Sequence, residues 1–453
     1  MLGLAIVTVL AQLPAPNVVL VLCDDLGYGD LSCYGAKDYT TPNIDGLARD
    51  GIRLTTYYSG SPGCSPARAA LLTGCYPQRV GFPRVLMPNS KQGLSPNEDT
   101  LPELFRANRY RTSIIGKWHL GDSPEASPLK HGFETFYGLP YSNDMWPPNG
   151  KPYETLWLLR DNKRVRSIDT LEAQASLTTL YTDEAIRTIR KHRKEPFFLY
   201  LAHSMPHVPI GAQAKFRGRT PTPFGDCILD IDESVARIRS ELRALKLEKN
   251  TIFVFTSDNG PWSPYGNHAG KSGGFRGHKG TSFEGGMRVP FIVSWPGRLK
   301  PRVESGMVAA MDIMPTLTSM AGISHRPKEK VDGTSMATFL RRGGASPRQD
   351  YAYYYPDELR AMRIGPWKLQ LPHEDRLMSG APGRDGGRGG EVNANVGLTL
   401  YNLETDPAER VDVASQNPAV VERILGKVIK VRRSLGDALT KTHGQEIRPA
   451  LQL

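Results

Sequence analysis

Five stretches of this chain are apolar runs of strand length, and they constrain its fold more than anything else in it. They are residues 17–25 (NVVLVLCDD), 111–121 (RTSIIGKWHLG), 196–203 (PFFLYLAH), 250–260 (NTIFVFTSDNG) and 289–297 (VPFIVSWPG). A strand with one wet face alternates apolar and polar residues; these runs do not, so both of their faces must be covered. Helical patterns fall between them, at 42–51, 100–108, 171–194 and 228–245. Strands and helices alternating over this length predict an α/β fold, a large and mostly parallel sheet sandwiched by helices. After residues 331–350 the pattern changes. YAYYYP, RIGPWKLQLP and LTLYNLETDPAE read as strands of a small antiparallel sheet, followed by a helix over Pro418–Leu435. We therefore expect a main domain over 16–345 and a smaller C-terminal one over 346–453. The Gly-rich stretch 379–397 reads as a mobile loop, since its glycines lack the spacing of a phosphate-binding fingerprint.

Four of the five runs end in polar side chains: Asp24 and Asp25, Lys117 and His119, His203 and His207, and Asp258 and Asn259. Ligands of open α/β sheets sit beyond the carboxyl ends of the strands. One edge of the sheet is thus the expected site. The Asp24/Asp25 and Asp258/Asn259 pairs offer only carboxylate and amide oxygens, which suits a hard cation, Ca²⁺ or Mg²⁺, and not zinc. The bland alternative is a pair of Asx turns or helix caps.

The 57 basic and 46 acidic residues leave a net charge of +11, which favours anionic partners. Zinc-finger, RNP and basic-zipper patterns are missing, and the basic cluster at 425–434 reads as a solvated helix face, so nucleic acid is not the expected partner. The first residues, MLGLAIVTVLAQLPAPN, are apolar from Leu2 to Leu10. That run is too short to span a bilayer, but it fits the core of a secretory signal with Val9 and Ala11 at a cleavage site, although no Lys or Arg precedes it. Residues 1–15 are thus expected to be a signal segment, and the chain to be exported (periplasmic, secreted or lysosome-like) with no stable membrane insertion.

Cys64 opens the stretch CSPARAALLTG. Ser65 and Pro66 signal a helix start and Gly74 its end, which sets Cys64 at a helix N-terminus, where free N–H groups favour an anion or a thiolate. A buried structural cysteine is one reading. A phosphatase-type thiolate loop needs an arginine six residues on, where Ala70 stands. The third reading is a nucleophile that is not sulfur. Arg68, one turn along the helix, can reach back toward it. Lys117 and His119, two residues apart at a strand end, can face one cavity. Of the five cysteines, four remain if Cys64 is consumed, enough for two disulfides or none.

CSPAR with LLTG resembles the signature of the sulfatases, in which the cysteine is converted to formylglycine. VLVLCDDLGYGDLSCYG, GKWHLG, LPYSND, HSMPHVP, TSDNG and HKGTSFEGGMRVP are similar to further stretches of that family, especially of the arylsulfatase A type, and all stand in order. The resemblance implies an alkaline-phosphatase-like sandwich with a small C-terminal sheet domain, and a maturation enzyme that makes formylglycine from Cys64. It implies one divalent cation, Ca²⁺ ahead of Mg²⁺, held by Asp24, Asp25, Asp258, Asn259 and residue 64. It further implies that Arg68, Lys117, His119, His207 and Lys279 carry the chemistry, with Ser142, Lys117, His207 and Lys279 touching substrate. His203 is the weaker partner, and His268 and His278 have no family role. The implied reaction is hydrolysis of a sulfate monoester of an aryl group or a sugar. The rivals are a phosphoryl-transfer hydrolase on the same scaffold and a catalytically silent glycan-binding relative.

Overall fold

The computed structural model describes residues 14–147 and 153–453; the apolar segment at Leu2–Leu10 and the cleavage site expected at Val9 and Ala11 lie outside the described residues. Ten strands build the main sheet: β1 (Asn17–Cys23), β2 (Ile52–Leu54), β3 (Arg111–Gly116), β4 (Thr135–Gly138), β5 (Trp157–Arg160), β6 (Lys163–Ser167), β7 (Phe197–Ala202), β8 (Thr251–Ser257), β9 (Phe291–Ser294) and β10 (Arg302–Glu304). Their order is β10-β2-β9-β8-β1-β7-β3-β4-β5-β6. The central strands β8, β1, β7, β3 and β4 run parallel, and antiparallel pairings begin at β9 on one side and β5 on the other. The antiparallel course of β9 explains why its run alone ends without functional side chains: its carboxyl end lies at the opposite edge.

All seven residues of β1 are buried, and they divide between two layers. Val18, Leu20 and Leu22 pack with Ala69 and Leu72 of α2 (Cys64–Thr73) and Leu104 and Phe105 of α3 (Leu101–Ala107). Val19, Val21 and Cys23 pack with Ile44 of α1 (Pro42–Arg49), Tyr181 of α5 (Leu177–Lys191) and Ile231 of α6 (Pro223–Ala244). Burying each such side chain contributes about 1.5–3 kcal/mol, so a run without alternation is what a double-faced strand needs.

Three local expectations are corrected. The helix over 171–194 is two: α4 (Leu171–Ala175) stops at Ser176, and α5 follows at once. The helix from 228 begins earlier, at Pro223, because Thr222 caps it by accepting from the Gly225 N–H. The helix after Gly63 starts at Cys64 itself, with Gly63 as its cap residue, so Ser65 and Pro66 already lie inside it. The Ser65 hydroxyl instead accepts from the Leu86 N–H at 3.1 Å. Gly74 closes the helix as expected, in the left-handed region at φ +69°.

The C-terminal sheet has the order β11 (Asp350–Tyr354), β12 (Leu359–Ile364), β13 (Trp367–Gln370) and β16 (Thr399–Asn402), all antiparallel. Helix α7 (Pro418–Leu435) buries Ile424, Val428 and Leu435 against it. The stretch 379–397 is not loop throughout: β15 (Glu391–Val396) pairs with β14 (His373–Met378) as a separate two-stranded ribbon. A buried ionic knot joins the C-terminal sheet to the main body. Lys368 of β13 lies 3.1 Å from Glu284 and 2.9 Å from Glu409, all three sealed from solvent. Tyr58 and Tyr353 add hydroxyl bonds to the same Glu284.

All five cysteines are free. Among the described residues no helix is long and apolar enough to cross a membrane.

Candidate active site

The parallel strands β1, β3, β7 and β8 end at one edge, and the side chains that follow them converge there on the start of α2. Oxygen, sulfur or nitrogen atoms of Asp24, Asp25, Cys64 and His207 all lie within 4.8 Å of one another. Asp258 joins them through its neighbours: one oxygen accepts from the Asp25 N–H at 3.2 Å, and the other accepts from Arg68 at 2.7 and 3.0 Å. Asn259 donates its amide to Asp25 at 2.7 Å.

Two buried oxygens at this point have no hydrogen-bond partner, Asp24 Oδ1 and Asn259 Oδ1. Orphaned acceptors are costly in a protein interior, and three carboxylates packed together are costlier still. Burial and the Asp24 charge push the Asp258 carboxyl up to about 7. For Asp24, burial opposes the charge, but Lys117 first, then His207 and Arg68, hold its carboxyl well below the usual range. The carboxylate and amide oxygens of Asp24, Asp25, Asp258 and Asn259, with two acceptors among them unsatisfied, fit a hard divalent cation.

Cations line the rest of the site. The Lys117 ammonium touches Asp24 and donates to Ser142 Oγ at 3.1 Å. Lys279 bridges both Asp25 oxygens at 2.7 and 2.9 Å. All three nitrogens of Arg68 are engaged, with Asp258, Asp24 and the Lys117 carbonyl, and the side chain is fully buried. Arg68 thus holds the acidic group in place.

The two histidines differ in state. His119 sits past the end of β3 with φ +61°, and its Nε2 pairs with the Leu86 carbonyl at 2.9 Å. That bond puts the proton on Nε2 and leaves Nδ1, which has no partner, as a lone-pair acceptor. Burial, with Lys117 and Arg68 nearby, pushes its pKa well down, so the ring is neutral. Leu86 also bonds Ser65, so one residue ties His119 to the neighbour of Cys64. His207 donates from Nδ1 to the Val208 carbonyl at 2.5 Å and aims Nε2 at Asp25, 3.6 Å away. Burial and Lys279 oppose its charge, yet Asp25 and Asp24 outweigh them and raise its pKa. His203 turns away, to Ser234 Oγ at 3.3 Å.

Trp262 carries no signal in the sequence reading, yet its ring lies 5.4 Å from the His207 ring, and the Lys279 ammonium lies 4.4 Å from its centroid. It follows Asn259 by three residues in a loop, where no periodicity marks it. His278, read as having no role, faces Glu391 of β15 at 3.5 Å.

Comparison with known proteins gives a consistent result. The family model "Sulfatase" matches residues 16–323, and "C-terminal region of aryl-sulfatase" matches 346–452. The chain is 36% identical to arylsulfatase A of Bos taurus over 94% of this chain and 89% of that protein. It is 38% identical to N-acetylgalactosamine-6-sulfatase of Mus musculus over 79% of this chain and 72% of the other. Among solved structures, PsFucS1 sulfatase from Pseudoalteromonas sp. superposes with a TM-score of 0.84 at 28% identity, over 95% of this chain and 92% of that one.

Proposed function

The chain belongs to the sulfatase family of sulfuric ester hydrolases, and on that premise we propose that it cleaves sulfate monoesters with a formylglycine made from Cys64 and one divalent cation, Ca²⁺ ahead of Mg²⁺. The observation that carries this reading is the gathering of Asp24 and Asp25 at Cys64, with Asp258 and Asn259 bonded to Asp25 and two orphaned oxygens in the group. Asp24, Asp25, Asp258, Asn259 and residue 64 hold the cation, which draws negative charge from the ester when bound, while the hydrated aldehyde supplies an oxygen nucleophile.

The rest falls to side chains of the protein. Lys117, with Ser142 on the same ammonium, and Lys279 surround the sulfate oxygens with positive charge. As the new O–S bond forms, the attacking hydroxyl gives up its proton to the adjoining carboxylates, and as the S–O bond to the alcohol breaks, His207 or Lys279 gives the leaving oxygen the proton it takes. His119 Nδ1 removes the proton of the second hydroxyl, whose electron pair re-forms the carbonyl and expels sulfate. A serine at position 64 has no second hydroxyl and would stall as its sulfate ester.

Sulfated sugars and aryl sulfates both fit this chemistry; the +11 charge favours an anionic glycan. The apolar start supports export, with a formylglycine-generating enzyme as the maturation partner. The test is the mass of the peptide spanning residue 64 in protein from a competent host, together with turnover of a sulfate-ester panel. Conversion lowers that mass by roughly 18 daltons as SH and H give way to a carbonyl oxygen. Ester cleavage by protein whose Cys64 remains wholly a thiol overturns the mechanism.

A further inference from the structure

We propose that the mouth of this site carries a second anion subsite, made by Arg376 and Arg388 around Trp262 and Lys279, that takes a carboxylate or sulfate on the sugar bearing or adjoining the scissile ester. The proposal rests on the sulfatase reading above and narrows its substrate to sugars with at least one anionic group besides the sulfate that is cleaved.

The Gly63 and Gly280 backbones approach each other through the Gly280 N–H, which donates to the Pro62 carbonyl at 2.9 Å. Gly280 has φ +85°, and Arg376 Nη2 lies 2.8 Å from the place a β-carbon would take on it. The Tyr355 ring reaches both glycines, at 3.3 Å from the corresponding point on Gly63 and 3.7 Å from that on Gly280. Arg376 is thus set one residue from Lys279 and, across Tyr355, one residue from Cys64. It comes from β14 and is half-buried. Its guanidinium has no hydrogen bond or ion pair with any described residue.

Arg388 approaches from the segment between β14 and β15, with its guanidinium carbon 5.5 Å from the Trp262 centroid. The same ring stands against His207 and Lys279, the pair assigned to the leaving oxygen. The group attached to that oxygen is therefore set near Trp262 in this proposal. Charge is uneven there. Arg388 is paired with Glu391, which also faces His278, whereas Arg376 has no such partner. A guanidinium without an anionic partner leaves its donors free for an incoming group, and its planar donor fork suits a carboxylate or sulfate. A neutral aryl group would leave that charge unanswered.

The test uses the matured full chain, wild type and the variants Arg376→Gln, Arg376→Lys and Arg388→Gln. Substrates are 4-nitrophenyl sulfate, a neutral monosulfated disaccharide, a monosulfated disaccharide with a uronate, and a disulfated disaccharide. The wild type is expected to favour the last two. In Arg376→Gln the ratio of kcat/KM for anionic over neutral substrates falls roughly tenfold, mostly through KM, with a smaller fall in Arg376→Lys. The uronate and disulfated arms tell which anion is read. A melting temperature within a few degrees of wild type separates this from misfolding, and Arg388→Gln gives an independent reading. A wild type without preference, or a ratio unmoved in both glutamine variants, overturns the subsite while leaving the sulfatase reading intact. Failure to cleave any sulfate ester overturns the sulfatase reading, and the subsite with it.

Discussion

His119 shows how much a single side chain's surroundings decide. Its Nε2 bond to Leu86 fixes the tautomer, and burial beside Lys117 and Arg68 keeps the ring neutral, so only Nδ1 can accept a proton. His119→Ala is expected to lower kcat by a factor of about 10²–10⁴ with little change in KM, as steady-state kinetics on any cleaved ester will report. Asp24→Asn removes one of the three carboxylates that hold the cation under the proposed reading. The variant should lose at least roughly a hundredfold in turnover and need more added Ca²⁺ to recover after chelation, read by titrating the metal back into chelator-treated protein. The acidic residues could be found from the sequence because each directly follows a strand whose direction is itself legible. Trp262 and Arg376 could not: their placement depends on where a loop and a C-terminal ribbon return in space, which no hydrophobic period encodes.

At the scale of elements, both-sided burial is what made the core strands and most helices readable. Boundaries failed where a local hydrogen bond competed with the general pattern. Ser65 looks like a cap, but the loop through Leu86 claims its hydroxyl and leaves Gly63 to open the helix. The ribbon β14–β15 was hidden because Glu391–Val396 is polar and largely exposed, so it lacks the apolar signature of the other strands. Gly74 closes α2 in the left-handed region, with Met314 Sδ at 3.2 Å from where a side chain would begin. Gly74→Ala should therefore destabilise the fold by about 1 kcal/mol or more, seen as a lower urea midpoint, while the chemistry at the far end of the helix is retained.

The whole molecule is held by features that no single stretch reveals, and the knot of Glu284, Lys368 and Glu409 is the clearest. Lys368→Met leaves two buried carboxylates without their ammonium and should cost about 3–5 kcal/mol, measured by chemical unfolding. Acid should weaken the fold as well. Burial pushes His131 and His203 down to about 4, so between roughly 6.5 and 4 the unfolded chain binds more protons than the native one. Stability present above that window is lost as pH falls through it, by up to about 3 kcal/mol for each ring. Melting temperatures at pH 7.5 and 4.5 will show the drop, and His131→Phe, which keeps a ring against Trp118, should lessen it. A final consequence concerns timing. Cys64 is only 3% exposed, and its whole helix is shut inside the sandwich, so a modifying enzyme can grip this segment only while the chain is still open. Under the proposed conversion, maturation is a race against collapse: native unconverted protein is beyond rescue, whereas the same polypeptide, denatured and refolded beside its modifier, should regain turnover.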